Sequence, residues 1–156
     1  MKAVVQRVRG ASVLSGGRTA GSIAAGLLVY LGVARGDIPE DAGRLAEKTV
    51  NLRIFDDEQG RMNLSLKDIV RAGASAGVLA VSQFTLLADT ERGRRPFYGA
   101  AAGSEDAKIL YEYFTEKIRE EGVACETGIF QARMDVTCTN DGPVTILIDS
   151  RLKEPS

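Results

Sequence analysis

The run Gly26-Leu27-Leu28-Val29-Tyr30-Leu31-Gly32-Val33 carries no charge and does not alternate between polar and apolar residues. A stretch of that kind is stable in water only as a strand covered on both faces. Gly77-Val78-Leu79-Ala80-Val81 is a second such run. Two doubly covered strands call for helices packed on a sheet, and the chain supplies two helical patterns. Asp37 is positioned as an N-cap and Pro39 falls in the first turn, after which Ala42, Leu45, Ala46 and Thr49 recur at helical spacing, predicting a helix over 39–51. Ser104 is read as the cap of a second helix, with Glu105 and Asp106 against its N-terminal dipole. Ala107, Leu110, Tyr111, Phe114 and Ile118 form its buried stripe and Gly122 its end.

Shorter strands complete the pattern. Residues 2–8 and 11–14 read as two strands, Gly16-Gly17 as a hairpin turn, and Arg18 to Ala24 as the returning strand, which makes the first 34 residues an antiparallel meander. Leu52 to Phe55 is a short strand, Asp56 to Gly60 a turn, and Met62 to Asp68 an irregular packed segment. Residues 123–127 and 134–139 read as two further strands. The last strand begins after a tight Asn140-Asp141-Gly142-Pro143 turn and places Val144, Ile146 and Ile148 on one face. The fold class is therefore α+β, with two main helices on one sheet. At 156 residues and 44% hydrophobic content, residues 1–150 are read as one domain and 151–156 as a flexible tail.

Histidine is absent. That removes the Ser-His-Asp and Cys-His relays and the commonest zinc ligand. Cys125 and Cys138 suit neither a disulfide framework nor a C-x-x-C site, so no metal and no cofactor are expected. A net charge of −1 argues against a protein that coats DNA along a basic face, and leaves room for a small footprint on a nucleic acid. The N-terminal stretch lacks the apolar core of a signal peptide and no run reaches the ~18 residues of a membrane span, so a cytoplasmic protein without a membrane partner is expected.

Val81-Ser82-Gln83-Phe84-Thr85-Leu86-Leu87 places three hydrogen-bonding side chains in what reads as the continuation of a buried strand. Left unsatisfied, each would cost about 1–3 kcal/mol. Either they bond neighbouring backbone at a strand end or they form the wall of a site. The loop Asp89 to Phe97 carries Arg92, Arg94 and Arg95, and reads either as a solvated loop or as a phosphate-facing patch. Gly142-Pro143 by itself is a turn.

Together, Ser82-Gln83-Phe84-Thr85-Leu86 and Asn140-Asp141-Gly142-Pro143-Val144-Thr145 resemble the two signature segments of the D-aminoacyl-tRNA deacylase family. Met1 to Val8, Met62-Asn63-Leu64-Ser65 and Arg95-Pro96 extend the resemblance over nearly the whole chain. It implies a homodimer with a barrel-like, mostly antiparallel sheet. It also implies a carboxylic ester hydrolase that removes a D-amino acid, or glycine, from the 3′ adenosine of tRNA, a chiral proofreading step in translation. By the same resemblance Ser82, Gln83, Phe84 and Thr85 are the catalytic wall, and Gly142 and Pro143, through a cis bond, enter the partner subunit's pocket and exclude an L side chain. Met134, Arg95 and Phe130 are placed as substrate-binding residues. The chain departs from the family in having Phe97 directly after Arg95-Pro96, and Gln131 where glycine usually follows the phenylalanine.

That chemistry suits a chain without histidine. An aminoacyl ester is already activated and has a neighbouring ribose hydroxyl, so the protein can contribute position and an oxyanion hole of backbone N–H groups near Phe84 and Thr85. The contrasting reading is a small dimeric metabolite-binding protein that uses the same pocket without turnover.

Overall fold

The computed structural model describes residues 1–91 and 93–151. Its strands are β1 (Lys2–Ser15), β2 (Arg18–Ile23), β3 (Gly26–Gly32), β4 (Phe55–Asp56), β5 (Met62–Leu64), β6 (Gly77–Ser82), β7 (Ala124–Thr127) and β8 (Asp135–Asp149). The helices are α1 (Pro39–Asn51), α2 (Leu66–Arg71) and α3 (Ser104–Glu120), and a 3-10 turn spans Phe84–Leu87.

The two apolar runs lie side by side at the centre. β3 pairs in parallel with β6, Gly26 opposite Gly77 through Leu31 opposite Ser82, and β6 pairs in parallel with β7. β1 is antiparallel to both β2 and β3, which share one of its edges in tandem, while β8 runs along the other. The Thr127 carbonyl of β7 comes up against Gly21 of β2, so the sheet curls nearly into a barrel. Leu27, Val29, Val78 and Ala80 are fully buried against Leu45, Phe114 and Ile118 from the helices, and each large side chain removed from water this way contributes about 1.5–3 kcal/mol.

Several expectations need correction. Residues 2–8 and 11–14 form one strand, β1, and since β3 pairs with β1 and not with β2 the first strands are no meander. The strand read through Thr85 stops at Ser82. Met62 to Asp68 is ordered as β5 and the start of α2, where Ser65 is the N-cap that receives the Asp68 N–H. Hydrogen bonds from the Ser65 backbone and hydroxyl hold the Asp68 carboxyl below the usual carboxylate range. Helix α1 begins after Ile38, not Asp37. Asp37 is drawn inward, where it accepts from the Ala34 N–H and pairs with the N-terminal ammonium at 2.9 Å and with Arg151. Helix α3 follows Gly103, with Ser104 already inside its first turn. The expected 134–139 strand, Asn140–Pro143 turn and last strand are one continuous element, β8. Arg92 and residues 152–156, hence part of the arginine loop and nearly all of the tail, lie outside the described residues.

Candidate active site

The end of β6 builds one wall of a cleft of about 540 Å³. The Gln83 N–H donates to the Leu31 carbonyl at 2.8 Å, and the chain then tightens into the 3-10 turn. Gly32 permits this, because a Cβ there would collide with Leu87 and lie 3.0 Å from the Gln83 carbonyl. The turn brings Ser82, Gln83 and Phe84 to the cleft. The backbone N–H groups of Phe84 and Thr85, ahead of the first 3-10 hydrogen bond, from Leu86 N–H to the Gln83 carbonyl, have no protein acceptor among the described residues.

The facing wall comes from the segment after β7. Gly128 N–H donates to the Ala80 carbonyl, and the Arg133 carbonyl accepts from Ser15 Oγ at 3.0 Å, pinning the segment that carries Phe130, Gln131, Ala132 and Met134 into the cleft. Phe130 packs on Tyr111 with ring centroids 5.9 Å apart. The Tyr111 hydroxyl donates to the Ala80 carbonyl, and burial pushes its pKa up. Tyr111 is thus core that backs the cleft. Gln131, at the position of the family's usual glycine, has φ 61°, and it is the one non-glycine residue among those described with a left-handed backbone.

None of the residues lining this cleft is Asp, Glu, Lys, Arg, Cys or Tyr. Four of the expected residues, Thr85, Arg95, Gly142 and Pro143, are not among those lining it. Thr85 is exposed, and its hydroxyl accepts from the Gln83 amide. Arg95 is exposed on its loop. A larger cleft, about 730 Å³, lies between α1, α2 and the end of β8 and is lined by Arg44, Lys48, Lys67 and Glu121 among others, but holds none of the expected site residues.

Gly142 and Pro143 lie elsewhere again, on the open side of β8, and their peptide bond is cis. The register passes from Gln6 opposite Thr145 to Val8 opposite Asn140, so residues 141–144 bulge out against the single residue Arg7. Sequence reasoning gave Arg7 no role. Its guanidinium is buried and donates to the Ile54 carbonyl at 2.7 Å, to Asp56 at 3.2 Å and to the Asp141 carbonyl at 3.2 Å. Asn140 closes the bulge from the other side, its Oδ1 accepting the Val144 N–H and its amide donating to Thr145 Oγ1. The signal available in the sequence was an arginine in step with Ala3 and Val5 on the buried face of the strand. Both residues of the Gly-Pro pair remain exposed on this fixed base.

The profile of the family described as D-Tyr-tRNA(Tyr) deacylase matches residues 4–149. A D-aminoacyl-tRNA deacylase of Koribacter versatilis is 55% identical over 151 residues, 97% of this chain and 98% of that protein. A solved structure titled "c-Myc DNA Unwinding Element Binding Protein" superposes with a TM-score of 0.86 at 37% identity, over the full length of both chains. A second, titled "Structural Analysis of a probable eukaryotic D-amino acid tRNA deacylase", matches with a TM-score of 0.77 at 16% identity, over 94% of this chain and 97% of that one, a likeness of fold.

Proposed function

The chain belongs to the D-Tyr-tRNA(Tyr) deacylase family, and from that premise we propose how its cleft carries out the hydrolysis of D-aminoacyl-tRNA. The enzyme is a hydrolase that splits the ester between a D-amino acid and tRNA, releasing both with the addition of one water. The observation that supports the mechanism best is the cleft's lining, which brings Ser82–Phe84 and Phe130–Met134 together without an ionisable side chain.

A site so built cannot rely on a protein base. The aminoacyl ester brings its own activation, and the ribose hydroxyl next to it is placed to assist the attacking water. Ser82 and Gln83 orient the substrate, while the unoccupied N–H groups of Phe84 and Thr85 receive the negative charge that develops on the carbonyl oxygen. Phe130 and Met134 offer an apolar surface to the amino acid, and Arg95 meets the phosphate that joins the terminal adenosine to the nucleotide before it.

The enzyme works as a homodimer in the cytoplasm. Gly142 and Pro143 of one subunit stand over the partner's cleft, and their fixed backbone occupies the space an L side chain would need. Glycine has no such side chain and passes the same test, so glycyl-tRNA is a substrate as well. Incubation with paired D- and L-aminoacyl-tRNAs tests the reading. The D ester should disappear well above its spontaneous rate and the L ester should not. Equal spontaneous loss of both would leave only a binding protein, and equal accelerated loss would remove the chiral role.

A further inference from the structure

We propose that Phe97, Tyr98 and Phe84, with Arg94 and Arg95 beside them, form a stacking platform for the unpaired nucleotides that precede the terminal adenosine of the tRNA. This rests on the deacylase reading of the cleft and adds a second contact outside it. Phe84 is 56% exposed, Phe97 69% and Tyr98 37%. A single exposed ring is ordinary, but Phe84 and Tyr98 in contact beside a site, with exposed Phe97 next to Tyr98 in the chain, mark a surface that something covers. The platform is continuous with the cleft, since Phe84 lines it and meets the Tyr98 ring edge-on with centroids 5.1 Å apart.

The third ring is held from below. Phe97 exchanges two backbone hydrogen bonds with Asp89, at 2.9 and 2.8 Å. Gly99 lies under its ring, where any Cβ would overlap Cε1 and Cζ. The chain therefore fixes an apolar ring while leaving it largely in water, which adds nothing to its own core. Arg94 and Arg95 are exposed on the same loop and form no ion pair with a described residue. Aromatic faces with adjacent guanidinium groups suit unpaired nucleic acid, because every base offers a π-face and every linkage a phosphate, whereas a duplex hides its bases. The exposed guanidinium groups on the same loop as Phe97 suit a polyanion such as RNA better than a second copy of a chain whose net charge is −1.

The test compares two substrates, D-aminoacyl-tRNA and the D-aminoacyl ester of adenosine alone, which lacks the upstream nucleotides. Phe97→Ala should lower kcat/KM on the tRNA about tenfold, leave that on the adenosine ester within about twofold, and be rescued by Phe97→Trp. Replacing Arg94 and Arg95 with alanine should flatten the salt dependence on tRNA alone. Equal losses on both substrates, or no loss on tRNA, would overturn the platform. So would a monomeric Phe97→Ala in light scattering, which would make the ring a subunit contact. A wild type that turns over neither ester would instead sink the deacylase reading itself.

Discussion

The two segments that carry the family resemblance are built in opposite ways. Ser82–Phe84 turns inward, tied by Gln83 to the end of β3, and forms the wall of a cleft. Asn140–Thr145 turns outward, and the protein spends a buried arginine and an asparagine on holding an exposed glycine and proline steady. Val144 at the end of the bulge packs on the core, but Gly142 and Pro143 at its tip stay exposed, so holding the tip steady adds little to the chain's own core. On the proposed account one segment receives the substrate while the other is offered to the partner's cleft.

Substitutions on either side should therefore separate stability from function. Gly142→Val strikes the outward segment hardest. Gly142 has φ 127°, and a Cβ there would sit 2.8 Å from Val144 Cγ2 and 3.2 Å from Arg7 Nη2. The strain should cost about 1–2 kcal/mol of stability, while displacement of the backbone lowers D-aminoacyl-tRNA hydrolysis about a hundredfold. Thermal denaturation beside kinetic assays checks it, and undiminished activity would make the bulge mere surface. Arg7→Met leaves the Ile54 and Asp141 carbonyls without their donor, so we expect a loss of about 3 kcal/mol and of about tenfold in rate. If denaturant titration shows that loss with the rate intact, the bulge is stiffened for folding alone.

On the inward side, Thr85→Ala should keep hydrolysis within about fivefold of wild type, because the hydroxyl is exposed and its partner is an amide donor, not a base. An acyl-enzyme trapped by acid quench, together with an inactive alanine variant, would make Thr85 the nucleophile. The smallest effect belongs to Gln131→Gly, which relieves the left-handed backbone and should raise stability by about 1 kcal/mol, less the extra freedom glycine gains when unfolded.

The parts legible in the sequence were those governed by period and burial. The apolar runs of β3 and β6 and the 3.6-residue stripes of α1 and α3 admit few alternatives, and Ala42, Leu45, Leu110 and Phe114 are buried as their spacing requires. Local signals misled where the rest of the fold decides between two uses of the same residues. Asn-Asp-Gly-Pro makes a turn in isolation, yet paired along β1 it becomes a bulge inside a strand. Asp37 is a sound cap, yet the N-terminal ammonium and Arg151 outbid the helix for its carboxylate. Of the residues the resemblance named, Ser82, Gln83, Phe84, Phe130 and Met134 line one cleft, whereas Thr85, Arg95, Gly142 and Pro143 do not. Arg7 escaped notice because its value comes from a bulge more than 130 residues away in sequence.

Subunit mixing tests the central claim most directly. Ala132→Trp fills the cleft and Gly142→Val spoils the bulge, so each homodimer alone should be inactive. If the bulge of one subunit completes the cleft of the other, random exchange makes half the dimers mixed, each with one intact composite site, and about one quarter of wild-type activity should return. Exchange verified by mass spectrometry with no activity regained would contradict the account, since each cleft would then be served by the bulge of its own chain.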